Sequence, residues 1–162
     1  MATAGHFQRV RGAEAFAETH PDLLRAARAV FTLEGLAAKE VKEGLDGDYA
    51  ETGRPQATTL NVPPVAAMVA RVLSALERKP TRATVVMPAE LGTPLSDAAG
   101  FVGWSRRFDA GYRRPGGLPY VSWTSDPLYR LDDADTPDRL DRARLVPVAR
   151  TVTELVKAFC GP

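Results

Sequence analysis

The chain has 162 residues, of which 44% are hydrophobic and 25% charged. That is enough chain to bury a sizeable core, and the composition is ordinary for a globular protein. The 21 Lys and Arg residues against 20 Asp and Glu leave a net charge of +1, without the basic excess of a dedicated nucleic-acid binder. Cys160 is the single cysteine, so an intramolecular disulfide is excluded. No apolar run approaches the roughly 18 residues of a membrane span. The N-terminus lacks the basic-then-apolar layout of a signal peptide. The expectation is one domain over residues 1–162, cytoplasmic by default, with neither nucleic acid nor membrane as a partner.

Between His6 and His20 the sequence reads as a polar helical stretch, and His20-Pro21 as a helix entry. Asp22 to Ala29 predicts a short helix with Leu23, Leu24 and Ala27 on one side. The apolar, partly β-branched run Ala29-Val30-Phe31-Thr32-Leu33 predicts a buried strand. Asp46 to Gln56, rich in Gly and polar residues, reads as a loop. Asn61-Val62-Pro63-Pro64 reads as a helix start, with Asn61 as N-cap and Pro in the first turn. Val65, Met68, Val69, Val72, Leu73 and Leu76 carry that helix to Arg78, and Pro80 stops it.

Thr81 to Met87 predicts a second strand. Ala89 to Leu118 reads as irregular, far longer than the roughly 15 residues that most loops stay below. Its basic pairs, Arg106-Arg107 and Arg113-Arg114, read as solvated loop charges. Pro119 to Thr124 predicts a third strand. A closing helix follows, capped by Asp141 or the residues just after it. Its apolar stripe is Leu145, Val148, Ala149, Val152, Leu155, Val156 and Phe159, with Pro147 in the first turn or at a kink.

Strands that alternate with helices predict an α/β fold, a layered α/β/α domain with a mainly parallel or mixed sheet. Sites in such folds form where the chain leaves the C-terminal ends of strands, here after Leu33, Met87 and Thr124. Glu34 follows the first. Glu90 and then Ser96-Asp97 follow the second, and Ser125-Asp126 and the Tyr129 to Asp135 segment follow the third. Carboxylates alone suit Mg or Ca better than zinc, and Asp and Ser at such junctions also serve as caps and turn residues. A Glu directly after a buried strand is costly without a partner. His6 and His20 read as structural or solvent-exposed. No Cys/His spacing marks a structural zinc site, no Gly-rich phosphate loop is present, and Gly-x-Ser-x-Gly is absent.

The run Leu128-Tyr129-Arg130-Leu131-Asp132-Asp133-Ala134-Asp135-Thr136-Pro137-Asp138-Arg139-Leu140-Asp141 and its closing helix resemble the last active-site segment of the di-zinc exopeptidases of the aminopeptidase and glutamate-carboxypeptidase type. In that family a Tyr-His pair precedes Asp-Thr-Pro-Asp-x-Leu-Asp. The resemblance covers most of the chain and implies the C-terminal half of the catalytic domain. It implies Glu34 as a zinc ligand, since an acidic residue closes the corresponding strand. It implies a substrate-facing loop containing Ser96, Asp97, Tyr129, Arg130 and Asp135. His6 and Phe7 stand about where the family has its general base and a ligand, which leaves His6 as the catalytic candidate. Arg130 stands in place of the ligand His, a fixed positive charge where a cation would sit, placed to pair with Glu34. The His-x-Asp pair of the family is absent from this chain.

Three readings follow. One is a partial or degenerate zinc-exopeptidase domain without autonomous activity, used in binding or assembly. Another is an active metallo-aminopeptidase whose remaining ligands come from another chain or a missing N-terminal region. The third is an unrelated α/β binding module. No cofactor is expected for this chain alone, and zinc is expected if the site is completed by another chain. The expected partners are a second copy or partner chain covering an exposed sheet face, with a peptide or small molecule as ligand.

Overall fold

A computed structural model describes residues 10–78, 84–88, 96–101 and 118–161. The class is α/β, and the main sheet is mixed. Among the described residues there are strands β1 (Val30–Glu34), β2 (Lys39–Glu43), β3 (Tyr49–Pro55), β4 (Thr58–Val62), β5 (Thr84–Pro88) and β6 (Tyr120–Ser125). The helices are α1 (Arg11–Thr19), α2 (Pro21–Ala26), α3 (Ala66–Arg78) and α4 (Arg142–Cys160). None of them is long and apolar enough to cross a membrane.

The four-stranded sheet runs β1-β6-β4-β5. β1 pairs with β6 in parallel, β6 with β4 antiparallel, and β4 with β5 in parallel. Side chains alternate across each strand, so the registers divide the sheet into two faces. Phe31, Leu60, Val62, Val121 and Trp123 point to one face. There they pack with Val72 and Ala75 of α3 and with Leu155 of α4. Val30 and Tyr120 point to the other. Val30 meets α1 and α2 through Ala13, Ala17 and Leu24, and Tyr120 packs on Ala98 in the helical turn over 98–101. That turn sits close on α1: a Cβ on Gly100 would come within 2.7 Å of the Ala13 Cβ.

Three expectations are corrected. The strand expected to be buried forms as β1, but it lies at the sheet edge with none of its residues fully buried and Leu33 48% exposed. The stretch Asp46 to Gln56 is mostly strand β3, which forms an antiparallel hairpin with β2. Most of its residues are exposed or half-buried on both faces, so it carries no hydrophobic alternation to read. Asn61 is not a helix cap. It lies in β4 and is buried, because Leu60 and Val62 beside it are needed in the core. Helix α3 instead begins after Pro63 and Pro64, with the Met68 and Val69 amides bonded to the Val65 carbonyl.

The closing helix begins where the sequence predicts. Asp141 is its N-cap, its carboxylate accepting from the Ala143 amide at 3.1 Å. The segment before it is tied to the hairpin by an Ala38–Leu140 bridge and by the Asp141 amide on the Ala37 carbonyl at 2.8 Å.

Candidate functional site

Glu34 is the last residue of β1, and Thr124 stands beside it on β6. The chain turns away at Gly35, whose φ of +61° lies in the left-handed region that favours glycine. The Ser125 hydroxyl donates to the Gly35 carbonyl at 2.5 Å, joining the two strand ends. After β6 the chain turns again: the Arg130 amide bonds the Pro127 carbonyl at 3.0 Å, and Leu131 takes a φ of +67°. This places the Arg130 guanidinium between two carboxylates. One Nη is paired with Glu34 Oε1, and the other donates to Asp126 Oδ1 at 3.1 Å. The Arg130 and Glu34 side chains are 22% and 25% exposed, whereas Asp126 is open to solvent at 85%. The Glu34 pair is therefore the better shielded of the two and the stronger electrostatically.

Ser96 reaches the same side of the sheet. Its hydroxyl is hydrogen-bonded to Thr32 Oγ1 at 2.8 Å and to the fully buried Ser122 Oγ at 2.6 Å, and it accepts from the Ala98 amide at 3.2 Å. Thr32 and Glu34 are two residues apart on one strand, so the hydroxyl cluster lies about 7 Å along the sheet from the Glu34 position. It holds the 96–101 segment against β1 and β6. Asp97 is half-buried in that turn, with its carbonyl accepting from the Gly100 amide at 3.1 Å.

Tyr129 faces elsewhere. It is buried with Ala38 and Val41 of the hairpin, and its hydroxyl lies 3.2 Å from the Lys39 carbonyl and 3.4 Å from that of Arg139. The Arg139 guanidinium stands 5.7 Å from its ring centre, and the Tyr49 ring meets it edge-on at 6.4 Å. Burial raises the Tyr129 pKa above the ordinary tyrosine value, and the charge of Asp135 adds to the rise. Asp135 itself is exposed, in a turn closed by its amide on the Asp132 carbonyl at 2.9 Å.

Of the residues singled out in the sequence, Glu34 and Arg130 meet directly, and Ser96 lies along the same sheet face with Asp97 next to it in the 96–101 turn. Tyr129 and Asp135 belong to the hairpin side. His6 and Glu90 lie outside the described residues. His20 joins α1 to α2, with its ring stacked on Phe16 at 4.3 Å and its Nδ1 hydrogen-bonded to the Thr19 hydroxyl at 2.8 Å. Asp126 stands four residues before Arg130, a spacing that marks it as an ion-pair partner in the sequence itself. Thr32, Ser122 and Asn61 come into one row only through the strand register.

Among the described residues, no three His, Cys, Asp or Glu side chains gather closely enough to hold a metal ion. A catalytic zinc normally takes three protein ligands and a water. Among the described residues, the donor set at this strand end is one carboxylate already on a guanidinium, with an exposed second carboxylate on the same guanidinium. These residues do not fit a zinc ion. Comparisons with family models, with curated proteins and with solved structures find no match for this chain.

Proposed function

We propose that this chain is a zinc-exopeptidase-like domain, built as part of a layered α/β/α fold, that has no peptidase activity of its own and serves in binding or assembly. The observation that carries the reading is the Arg130–Glu34 ion pair. The family resemblance makes Glu34 a metal ligand and puts a ligand His where Arg130 stands. A guanidinium has no lone pair to offer a metal and stays protonated at all accessible pH values. Paired with Glu34, it supplies the positive charge that a cation would otherwise bring to a partly buried carboxylate. The segment that carries the family resemblance is then retained for architecture. Tyr129 fastens it to the hairpin, and Asp141 starts the closing helix.

The test is a peptidase assay on the purified chain. Aminoacyl and peptide substrates are offered with excess zinc, and the Glu34→Gln variant serves as a control. Hydrolysis no faster than in the buffer is the expected result. Zinc-dependent turnover lost in Glu34→Gln would overturn the reading in favour of a metallo-aminopeptidase.

A further inference from the structure

A recess lies on the α3–α4 side of the sheet and is lined by neither Glu34 nor Arg130. It is a cleft of about 240 Å³ between the start of α4, the β2–β3 hairpin and the ends of β4 and β6. Its apolar walls include Leu36, Pro55, Trp123, Pro147 and Val148. At roughly 30 Å³ per heavy atom, that volume holds about eight such atoms.

The hydrogen-bonding groups on the sheet side are already engaged with one another. The Trp123 indole Nε1–H donates to Thr58 Oγ1 at 2.9 Å, and that hydroxyl is hydrogen-bonded to Thr84 Oγ1 at 2.8 Å. Trp123 itself is buried, 1% exposed, so this wall is the edge of a satisfied indole, and the open apolar surface comes from Leu36, Pro55, Pro147 and Val148.

The opposite wall carries Arg144, whose side chain is 35% exposed. Its Nε is paired with Asp141 Oδ2 at 2.9 Å, while the other oxygen of Asp141 caps the Ala143 amide. Asp141 thus fixes the guanidinium from behind, and the two Nη groups have no further protein partner among the described residues. A planar guanidinium held in this way is matched to a carboxylate. It also stands in the first turn of a 19-residue helix, the end that favours an anion.

We infer that this cleft binds a small organic acid, with an apolar body of about eight heavy atoms between Leu36, Pro55, Pro147 and Val148, above the buried Trp123, and its carboxylate on Arg144. The same chemistry is offered by a free arylalkanoic acid and by the C-terminal residue of a peptide. Both sources go into the experiment. The inference does not depend on the reading of the Glu34–Arg130 pair, since the cleft shares neither residue.

The test titrates the full chain with 3-phenylpropionate and its amide, and with a short peptide ending in phenylalanine in free-acid and amidated forms. Binding is followed by tryptophan fluorescence and by the indole N–H resonance of Trp123. The expected result is saturable binding of at least one acid, with the Trp123 resonance shifted and affinity reduced about tenfold or more by amidation. Binding of phenylpropionate alone identifies a free acid as the source, and tight binding of the free-acid peptide identifies a chain end. Arg144→Gln should reproduce the loss seen on amidation, and Arg144→Lys should recover part of it. Equal affinity for acid and amide, affinity unchanged in Arg144→Gln, or no saturable binding of either acid would overturn the inference. The acid-against-amide comparison is made on the unaltered chain, so the outcome stands even if a variant fails to fold.

Discussion

The Arg130 guanidinium rests on the Glu34 carboxylate across 96 positions of sequence and ties the turn after β6 to the end of β1. β1 and β6 already run side by side, so the ion pair closes the ends of two strands whose backbones are joined. Arg130 is also held by the exposed Asp126, so its guanidinium bridges a shielded carboxylate and an open one.

Glu34→Gln and Arg130→Met should each destabilise the chain by about 1–3 kcal/mol, below the range for fully buried pairs because both side chains keep some solvent contact. The double variant should cost less than the two single costs added together, with a coupling of about 1 kcal/mol. Urea denaturation of the four proteins measures this. Strict additivity would mean that the two groups do not stabilise each other.

Ser122→Ala should cost about 1–3 kcal/mol, since it removes a fully buried hydroxyl and leaves Ser96 with one hydrogen-bond partner fewer. Hydrogen exchange adds a local readout. Protection of the Ala98 and Ala99 amides in the 96–101 turn should fall more than that of α4. Uniform loss across the chain would show that the hydroxyl cluster does not anchor that turn in particular.

Tyr129 gives a pH signature. Burial raises its folded-state pKa above the ordinary value near 10. In alkaline solution the unfolded chain loses this proton first, so the folded state binds more protons and stability falls as pH rises from about 10 toward the folded pKa. Below pH 10 the contribution is fully present. Tyr129→Phe should flatten this alkaline limb and cost about 1 kcal/mol at neutral pH through the lost bond to the Lys39 carbonyl. Tyr49, whose pKa burial also raises, retains a smaller alkaline slope in the variant. Denaturation midpoints at neutral and alkaline pH, with and without the substitution, decide the matter.

Asp141→Ala should destabilise by about 1 kcal/mol as a lost N-cap. It should also weaken binding of the small acid in the cleft, because Arg144 would lose the carboxylate that orients it. Asp141→Asn keeps the capping oxygen, so it should recover more of the stability than of the binding. Equal recovery of both would mean that Asp141 acts on the helix alone.

Much of the fold was legible where apolar spacing is strong. β1 and β6 are rich in Val, Phe, Tyr and Trp, and Val148, Val152, Leu155 and Phe159 of α4 pack on the core behind a capping Asp, while Leu145, Ala149 and Val156 of the expected stripe stay exposed. The β2–β3 hairpin was not legible, because it is polar on most positions and is stabilised by pairing and by Tyr129 from a distant segment. Asn61 misled for a physical reason. Asn before two prolines is good cap chemistry, but the neighbouring Leu60 and Val62 bury more apolar surface as a strand between β5 and β6. At the candidate site, the opposite charges of Glu34 and Arg130 could be read from sequence together with the expected strand ends. The Thr32–Ser96–Ser122 cluster could not, because it depends on register and on where a later turn returns to the sheet.

The most direct measurement is a zinc titration of the purified chain by calorimetry, with elemental analysis of the dialysed protein and with Glu34→Gln alongside. If Arg130 supplies the positive charge at Glu34, the native chain should retain no stoichiometric zinc, and Glu34→Gln should behave identically. One or two equivalents of tightly bound zinc, lost in Glu34→Gln, would contradict the central claim and restore the site as a metal centre.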